Sequence, residues 1–261
     1  MRQVKIKGMR FEDDLKESIR ILRGNVPVSG FYYGCFSGGK DSVAVKELCR
    51  MARVPVFWHY NITTIDPPEL VHFIKKFHPD VKMLRPRYGN FFSYALKKGF
   101  PTRRNRWCCE KYKEGNNPKG VTLVTGIRGQ ESPRRAADWS LITFNKKTKE
   151  EQINPLFKWD SEDLWNFIRD RNIPYCSLYD EGFKRLGCVG CPMAGLNRIR
   201  EFERWPKFEL KWKRLFEGIW NRRTGTLQWD GRQWFGNKFF RCWEEMFDWW
   251  LYDKSLPGKG N

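Results

Sequence analysis

The chain has 261 residues, enough for one domain of ordinary size with an appendage, or for two small ones. Apolar residues at 40% and aromatic residues at 16% supply a packed core and exclude wholesale disorder. No run approaches the roughly 20 apolar residues that span a bilayer, and the first residues, Met1 to Lys7, precede a charged stretch with no apolar signal core. A cytoplasmic protein without a membrane partner is the expectation. Lys plus Arg number 49 against 30 Asp plus Glu, a net charge of +19. From Lys82 to Lys149 there are 17 basic and 4 acidic residues, which places +13 of that excess in about a quarter of the chain. The natural partner is a polyanion such as nucleic acid, because neutralising phosphates releases counterions. A solvated basic face is the plainer alternative.

In chain order, Leu15, Ile19 and Leu22 lie at helical spacing behind Glu12, Asp13 and Asp14. Phe31 to Phe36 is a short aromatic run suited to a buried strand, and it ends in Ser37-Gly38-Gly39-Lys40-Asp41-Ser42. Val43, Ala44, Val45, Leu48 and Met51 predict a helix, and Val54 to Tyr60 the next strand. Pro67 and Pro68 open a further helix; Val81 to Leu84 and Val121 to Ile127 read as strands, the latter ending in Gly126-Ile127-Arg128-Gly129. This alternation predicts an α/β fold, a mainly parallel sheet with helices on both faces. Later, Ser161 is the expected N-cap of a helix carrying Leu164, Phe167 and Ile168, and Pro206 the N1 residue of another. Eight of the thirteen tryptophans fall between Trp205 and Trp250, so the expected division is 1–200 as the nucleotide-binding domain and 201–261 as a small Trp-rich helical region. The last six residues are expected to fray.

The hexapeptide Ser37-Gly38-Gly39-Lys40-Asp41-Ser42 lies where a strand hands over to a helix. Two glycines let the backbone approach an anion, the helix N-terminus offers free N–H groups, and Lys40 adds a mobile cation. The Walker A spacing is absent. The complete hexapeptide resembles the PP-loop of the ATP pyrophosphatase superfamily, whose members cleave ATP between the α and β phosphates. The resemblance implies an adenine nucleotide alpha-hydrolase-like fold, with Ser37, Gly38, Gly39, Lys40, Asp41 and Ser42 binding ATP.

Eight cysteines in a chain without an export signal are not expected to form disulfides. Cys108 and Cys109 are adjacent, and Cys188-Val189-Gly190-Cys191 is a two-ligand hook. Four thiolates complete a [4Fe–4S] site; a structural zinc site and ordinary buried cysteines are the other readings. The spacing, with 78 residues between the two pairs, resembles the cluster-bearing branch of the sulfonucleotide reductases. The neighbouring words agree: Arg106-Trp107-Cys108-Cys109 followed by Lys111 and Lys113, and Gly187 to Pro192 around the hook. The resemblance implies Cys108, Cys109, Cys188 and Cys191 as cluster ligands. Arg103, Arg104, Arg106, Lys111 or Arg185 would offset the net charge of about −2 on such a cluster. Cys35 and Cys49 fit strand and helix cores, whereas Cys176 is a candidate sulfur-handling thiol.

Gly126 to Arg135 resembles the Gly-x-Arg…Glu-Ser…Arg element of the same phosphoadenosine phosphosulfate reductase-like family, and Asn154 to Trp165 its Pro-Leu…Asp-Leu-Trp segment. From this, Gly126 and Arg128 are expected at ATP phosphates, with Arg128 catalytic beside Lys40 and Asp41, and Arg134 or Arg135 at the acceptor. Asp66 stands where relatives bind adenosine and is a candidate for Mg²⁺ or ribose, with helix capping as the plain alternative. The resemblance covers roughly residues 28 to 200. Two departures matter. The C-terminal Glu-Cys-Gly-x-His of true reductases is missing, the last cysteine being Cys242, and the phosphate loop is intact where theirs is usually degenerate. The resemblance therefore implies ATP-dependent adenylylation followed by sulfur transfer, as in DNA phosphorothioation or tRNA thiolation, with ATP, Mg²⁺ and a [4Fe–4S] cluster and a cysteine desulfurase or similar donor as partner. A sulfonucleotide reductase using Cys242 and a non-catalytic nucleic-acid-binding module are the alternatives. The tryptophans suit base stacking or, more plainly, a helical core.

Overall fold

The computed structural model describes residues 7–115, 117–145, 150–224, 233–235 and 238–252; the C-terminal six residues lie outside them. In chain order the elements are α1 (Lys7–Gly24), β1 (Tyr32–Cys35), α2 (Lys40–Ala52), β2 (Val56–Asn61), α3 (Pro68–Phe77), β3 (Lys82–Leu84), α4 (Phe91–Lys98), α5 (Trp107–Cys109) running into a π turn at Glu110–Glu114, β4 (Thr122–Val124), α6 (Pro133–Asp138), β5 (Ile142–Asn145), β6 (Glu150–Ile153), α7 (Ser161–Asp170), α8 (Asn197–Arg204), α9 (Pro206–Thr224), β7 (Gln233–Phe235), β8 (Lys238–Phe240) and α10 (Trp243–Tyr252). Each of the four strands expected from the early sequence is present. The helix at 161 starts one residue earlier than expected, because Asp160 accepts from the N–H groups of Glu162 and Asp163 and is the N-cap.

The chain divides into two compact units. One comprises residues 1–61, 68–84 and 117–186, the other 62–67, 85–116 and 187–261. The first holds a six-stranded sheet of order β3-β2-β1-β4-β6-β5, parallel throughout except for β5, which pairs antiparallel with β6. This is an α/β fold of the adenine nucleotide alpha-hydrolase type. Tyr32 and Tyr33 of β1 are buried, and α2 buries Val43, Ala44, Val45, Leu48 and Ala52, with α1 and α7 packed on it. Strand order runs outward from β1 through β2 to β3, then jumps back across β1 to β4. The crevice at such a switch point, outside the carboxyl ends of the strands, is where open α/β sheets bind ligands. The turn after β1 and the turn after β4 are the two that meet there.

The second unit is built on aromatic packing. Trp212 of α9 is fully buried, stacks on Trp250 of α10 at 4.5 Å and meets Phe91 of α4 at 5.3 Å. Both indoles are satisfied, Trp212 donating to the Val189 carbonyl and Trp250 to that of Pro101. Trp205 and Trp220 are buried too; the side chains of Trp229 and Trp234 lie outside the described residues. Among the described residues, Trp205, Trp212, Trp220 and Trp250 thus belong to a helical core and are not exposed stacking platforms. It also does not stand alone: residues 85–116 and the cysteine hook belong to the same unit, so the division falls elsewhere than the linear boundary at residue 200. Long-range packing of α4 on α9 causes the difference.

Candidate functional site

In the first unit the hexapeptide follows β1 and runs into α2. Gly38 has φ +73, and a Cβ there would stand 2.7 Å from Leu70 Cδ1 and 2.9 Å from Ile74, so both conformation and space call for glycine. The loop is wired internally. The Gly39 N–H donates to Ser37 Oγ at 3.3 Å, Ser37 Oγ lies 3.2 Å from Ser42 Oγ, and Ser42 donates to the Gly39 carbonyl at 2.8 Å. Lys40 Nζ is 3.1 Å from the Asp41 carboxylate. The other oxygen of that carboxylate receives Arg128 Nε at 2.6 Å.

Arg128 brings the turn after β4 to the same place. It is buried, and its Nη1 donates to Gln130 Oε1, Ser161 Oγ and the Trp159 carbonyl. Only Nη2 is without a protein acceptor among the described residues. The backbone of Gly126 lies against Asp41, where a Cβ would meet Asp41 atoms at 3.0–3.2 Å. Ser37, Gly38, Gly39, Lys40, Asp41, Ser42, Gly126 and Arg128 are therefore gathered at one edge of the sheet. Arg135 pairs with Glu131, and the side chain of Arg134 lies outside the described residues.

One residue of this cluster was not foreseen. Tyr179, in a 3₁₀ turn at Ser177–Tyr179, accepts the Lys40 N–H at 2.9 Å, and its ring lies 5.8 Å from Lys40 Nζ. The contact joins residues 139 positions apart, and no local word in the sequence announces it. Nearby, Cys176 is buried and its thiol is pushed up by burial, the opposite of an activated nucleophile.

In the second unit a pocket is lined by all four expected thiols, those of Cys108, Cys109, Cys188 and Cys191, with Ile65, Phe91, Tyr112 and Trp212 as apolar wall and Thr63 and Lys113 as polar members. Cys109 is drawn toward its ionised form by its neighbour Cys108 and by Arg106, whose Nη2 lies 3.4 Å from the Cys109 sulfur. Burial pushes Cys188 up to about 11, while Lys113 pulls it down. Lys113 in turn is held in its charged form first by Cys188, then by Cys191, Cys109 and Asp66. Among the charge-balancing candidates, Arg106 is in place. Lys111 instead pairs with Glu110, and Lys113 is the cation that lines the thiol pocket. Asp66 accepts from both the N–H and the hydroxyl of Thr63, at 2.7 Å each, so its carboxylate secures the turn at 62–67.

Among the described residues no three His, Cys, Asp or Glu side chains are grouped to hold a metal ion. The donor set here, four thiols lining one pocket with Arg106 and Lys113 as neighbouring cations, fits an anionic iron–sulfur cluster.

Comparison with known proteins places the fold. The pattern that defines the phosphoadenosine phosphosulfate reductase domain matches residues 33–194. The chain belongs to this family. An uncharacterized protein of Methanocaldococcus jannaschii is 34% identical over 191 residues, 68% of this chain and 45% of that one. The adenosine 5′-phosphosulfate reductase of Staphylococcus epidermidis is 26% identical over 202 residues, 71% of this chain and 81% of the reductase. Among solved structures, the phosphoadenylyl-sulfate reductase of Candida auris superposes with a TM-score of 0.50 at 17% identity, covering 72% of this chain and 98% of that one. The chain spans less than half the length of the first curated relatives it matches. Its phosphoadenosine phosphosulfate reductase domain takes in the loop at 37–42, Arg128 and all four pocket cysteines, and stops short of α8, α9 and α10. No described helix is long and apolar enough to cross a membrane.

Proposed function

We propose that the protein is an ATP pyrophosphatase that activates an oxygen of its acceptor, nucleic acid in the first place, for replacement by sulfur. The observation that carries this reading is the complete phosphate loop: Ser37 to Ser42 at the switch point, with Lys40 in place and Arg128 pinning Asp41. An acceptor oxygen attacks the α-phosphorus of ATP, the bond to the β-phosphate breaks, and pyrophosphate leaves into the cradle of N–H groups and Lys40. A sulfur nucleophile then forms a bond to the activated centre as the oxygen leaves with AMP; hydrosulfide does this directly, and a persulfide donor needs a thiol to reduce the remaining S–S bond. Activation is needed because an unactivated oxygen is a poor leaving group. Mg²⁺ would offset phosphate charge. Arg128 acts mainly through Asp41, since two of its three nitrogens are already bonded within the protein.

Cys108, Cys109, Cys188 and Cys191 would hold a [4Fe–4S] cluster, with Arg106 and Lys113 offsetting its charge. When bound, such a four-thiolate cluster would supply a one-electron redox centre of net negative charge. The net charge of +19 supports a nucleic-acid acceptor.

A sulfonucleotide reductase is the second reading, favoured by the similarity to the staphylococcal enzyme. Against it, the one late cysteine, Cys242, has its thiol pushed up by burial with Glu244 adding to the shift, and the thiolate is the attacking form. Anaerobically purified protein decides between them. Pyrophosphate release from Mg-ATP, stimulated by DNA or tRNA and reduced about 100-fold or more in Lys40→Ala, is the expected result. Sulfite release from adenylyl sulfates without ATP cleavage would overturn the proposal.

A further inference from the structure

The hydroxyls around the phosphate loop are not equivalent. Ser37 and Ser42 spend their protons inside the loop, on Ser42 Oγ and the Gly39 carbonyl. Tyr179 differs. Its oxygen accepts the Lys40 N–H at 2.9 Å and stands 3.3 Å from where a Cβ on Gly39 would lie, directly over the glycine turn. Its own proton has no acceptor among the described residues. Accepting from an amide polarises a hydroxyl and makes it a stronger donor. The ring is fixed for this purpose from behind, edge-on to Trp165 at 5.2 Å and to Tyr175 at 6.4 Å, with Lys40 Nζ on its face.

We infer that Tyr179 is a phosphate-binding residue: its hydroxyl donates to a phosphoryl oxygen of the ligand, extending the row of donors formed by the loop to a side chain from the distant 175–186 segment. The inference rests on the reading of 37–42 as a phosphate loop. Burial pushes the phenol up, so it stays protonated at neutral pH and remains a donor rather than becoming a competing anion. The ligand class is a pyrophosphate group, free or as part of a nucleotide, because a single turn here offers donors from both the glycine backbone and the aromatic wall. Tyr175, in the same aromatic group, is not part of the cradle; its hydroxyl donates to Asp180.

Isothermal titration of the full chain with inorganic pyrophosphate tests this. Tyr179→Phe keeps the ring and removes one oxygen, and its affinity should fall about tenfold, the weight of a hydrogen bond to a charged group. Tyr175→Phe should bind as the native chain does. The ligand-free unfolding midpoint of each variant checks the fold, and a readout that needs no substitution is the Lys40 amide resonance of the native chain, which should move with the same Kd. Native-like affinity in Tyr179→Phe overturns the inference and leaves the phosphate loop standing. Tighter binding does the same and makes the hydroxyl a competitor for the Lys40 N–H. Absence of pyrophosphate binding by the native chain would overturn the phosphate-loop reading itself, and the inference with it.

Discussion

Asp41 is held between two cations, Lys40 Nζ at 3.1 Å and Arg128 Nε at 2.6 Å. The Arg128 side chain is only 4% exposed, so its guanidinium depends on that carboxylate. Removing one partner of a buried pair strands the other, at a cost of 3–5 kcal/mol when both are fully buried; with Asp41 a fifth exposed, about 2 kcal/mol is the better expectation. Asp41→Asn should therefore lower unfolding free energy by about that amount in urea titrations, and a double-mutant cycle with Arg128→Gln should return a coupling of similar size. An unchanged midpoint would mean that Asp41 serves the ligand alone. These residues were legible in the sequence because each sits in a contiguous word, and a turn between strand and helix leaves its atoms little choice of place. Tyr179 and Lys113 were not legible as members. What selects them is a tertiary contact: Lys111 and Lys113 read alike along the chain, yet Lys111 pairs with Glu110 while Lys113 lines the thiol pocket.

At the scale of elements the same contrast holds. Strands β1, β2 and β4 showed in the sequence because the middle of a parallel sheet is buried on both faces and reads as an apolar run, and β3, at the edge, showed through Val81, Met83 and Leu84. The β5–β6 hairpin did not show. Ile142 and Phe144 are exposed on its outer strand, and β6 reads Glu150-Glu151-Gln152-Ile153, with little apolar character to announce a strand. Helix α4 hid for another reason, its aromatics Phe91 and Phe92 being adjacent rather than at helical spacing. It is fixed by Trp212, which both rings contact. Trp212→Ala should accordingly cost about 3–5 kcal/mol. Because the same indole lines the thiol pocket, iron retained per chain after desalting should fall in parallel. Full iron retention with lost stability would separate the pocket from the aromatic core.

For the molecule as a whole, acid is the informative stress. His59 is stacked on Tyr33 at 4.0 Å and His78 lies against Phe36 and Phe73; burial lowers each to about 4. Both are neutral when folded, whereas the unfolded chain takes up a proton on each near pH 6.5. Their contribution to stability is thus complete above pH 6.5 and is lost as pH falls toward 4, at up to about 1.4 kcal/mol per pH unit for each histidine. Between pH 7 and pH 5 the pair should cost about 4 kcal/mol of unfolding free energy, and His78→Asn should roughly halve that loss. A slope unchanged by the substitution would place the acid sensitivity elsewhere.

The second unit draws on three separate stretches of chain, and its two thiol pairs come from different ones, 85–116 and 187–261. During synthesis this imposes a waiting time. Cys109 leaves the ribosome 79 residues ahead of Cys188, which at 5–20 residues per second is about 4–16 s. Through that interval the adjacent thiols have no hook to close against, and Trp212, which caps the pocket, is later still. A nascent chain arrested before residue 188 should therefore present Cys108 and Cys109 to alkylating reagents and oxidants that the finished protein resists. By the order of the chain alone, the four-thiol pocket is incomplete until Cys191 has been made.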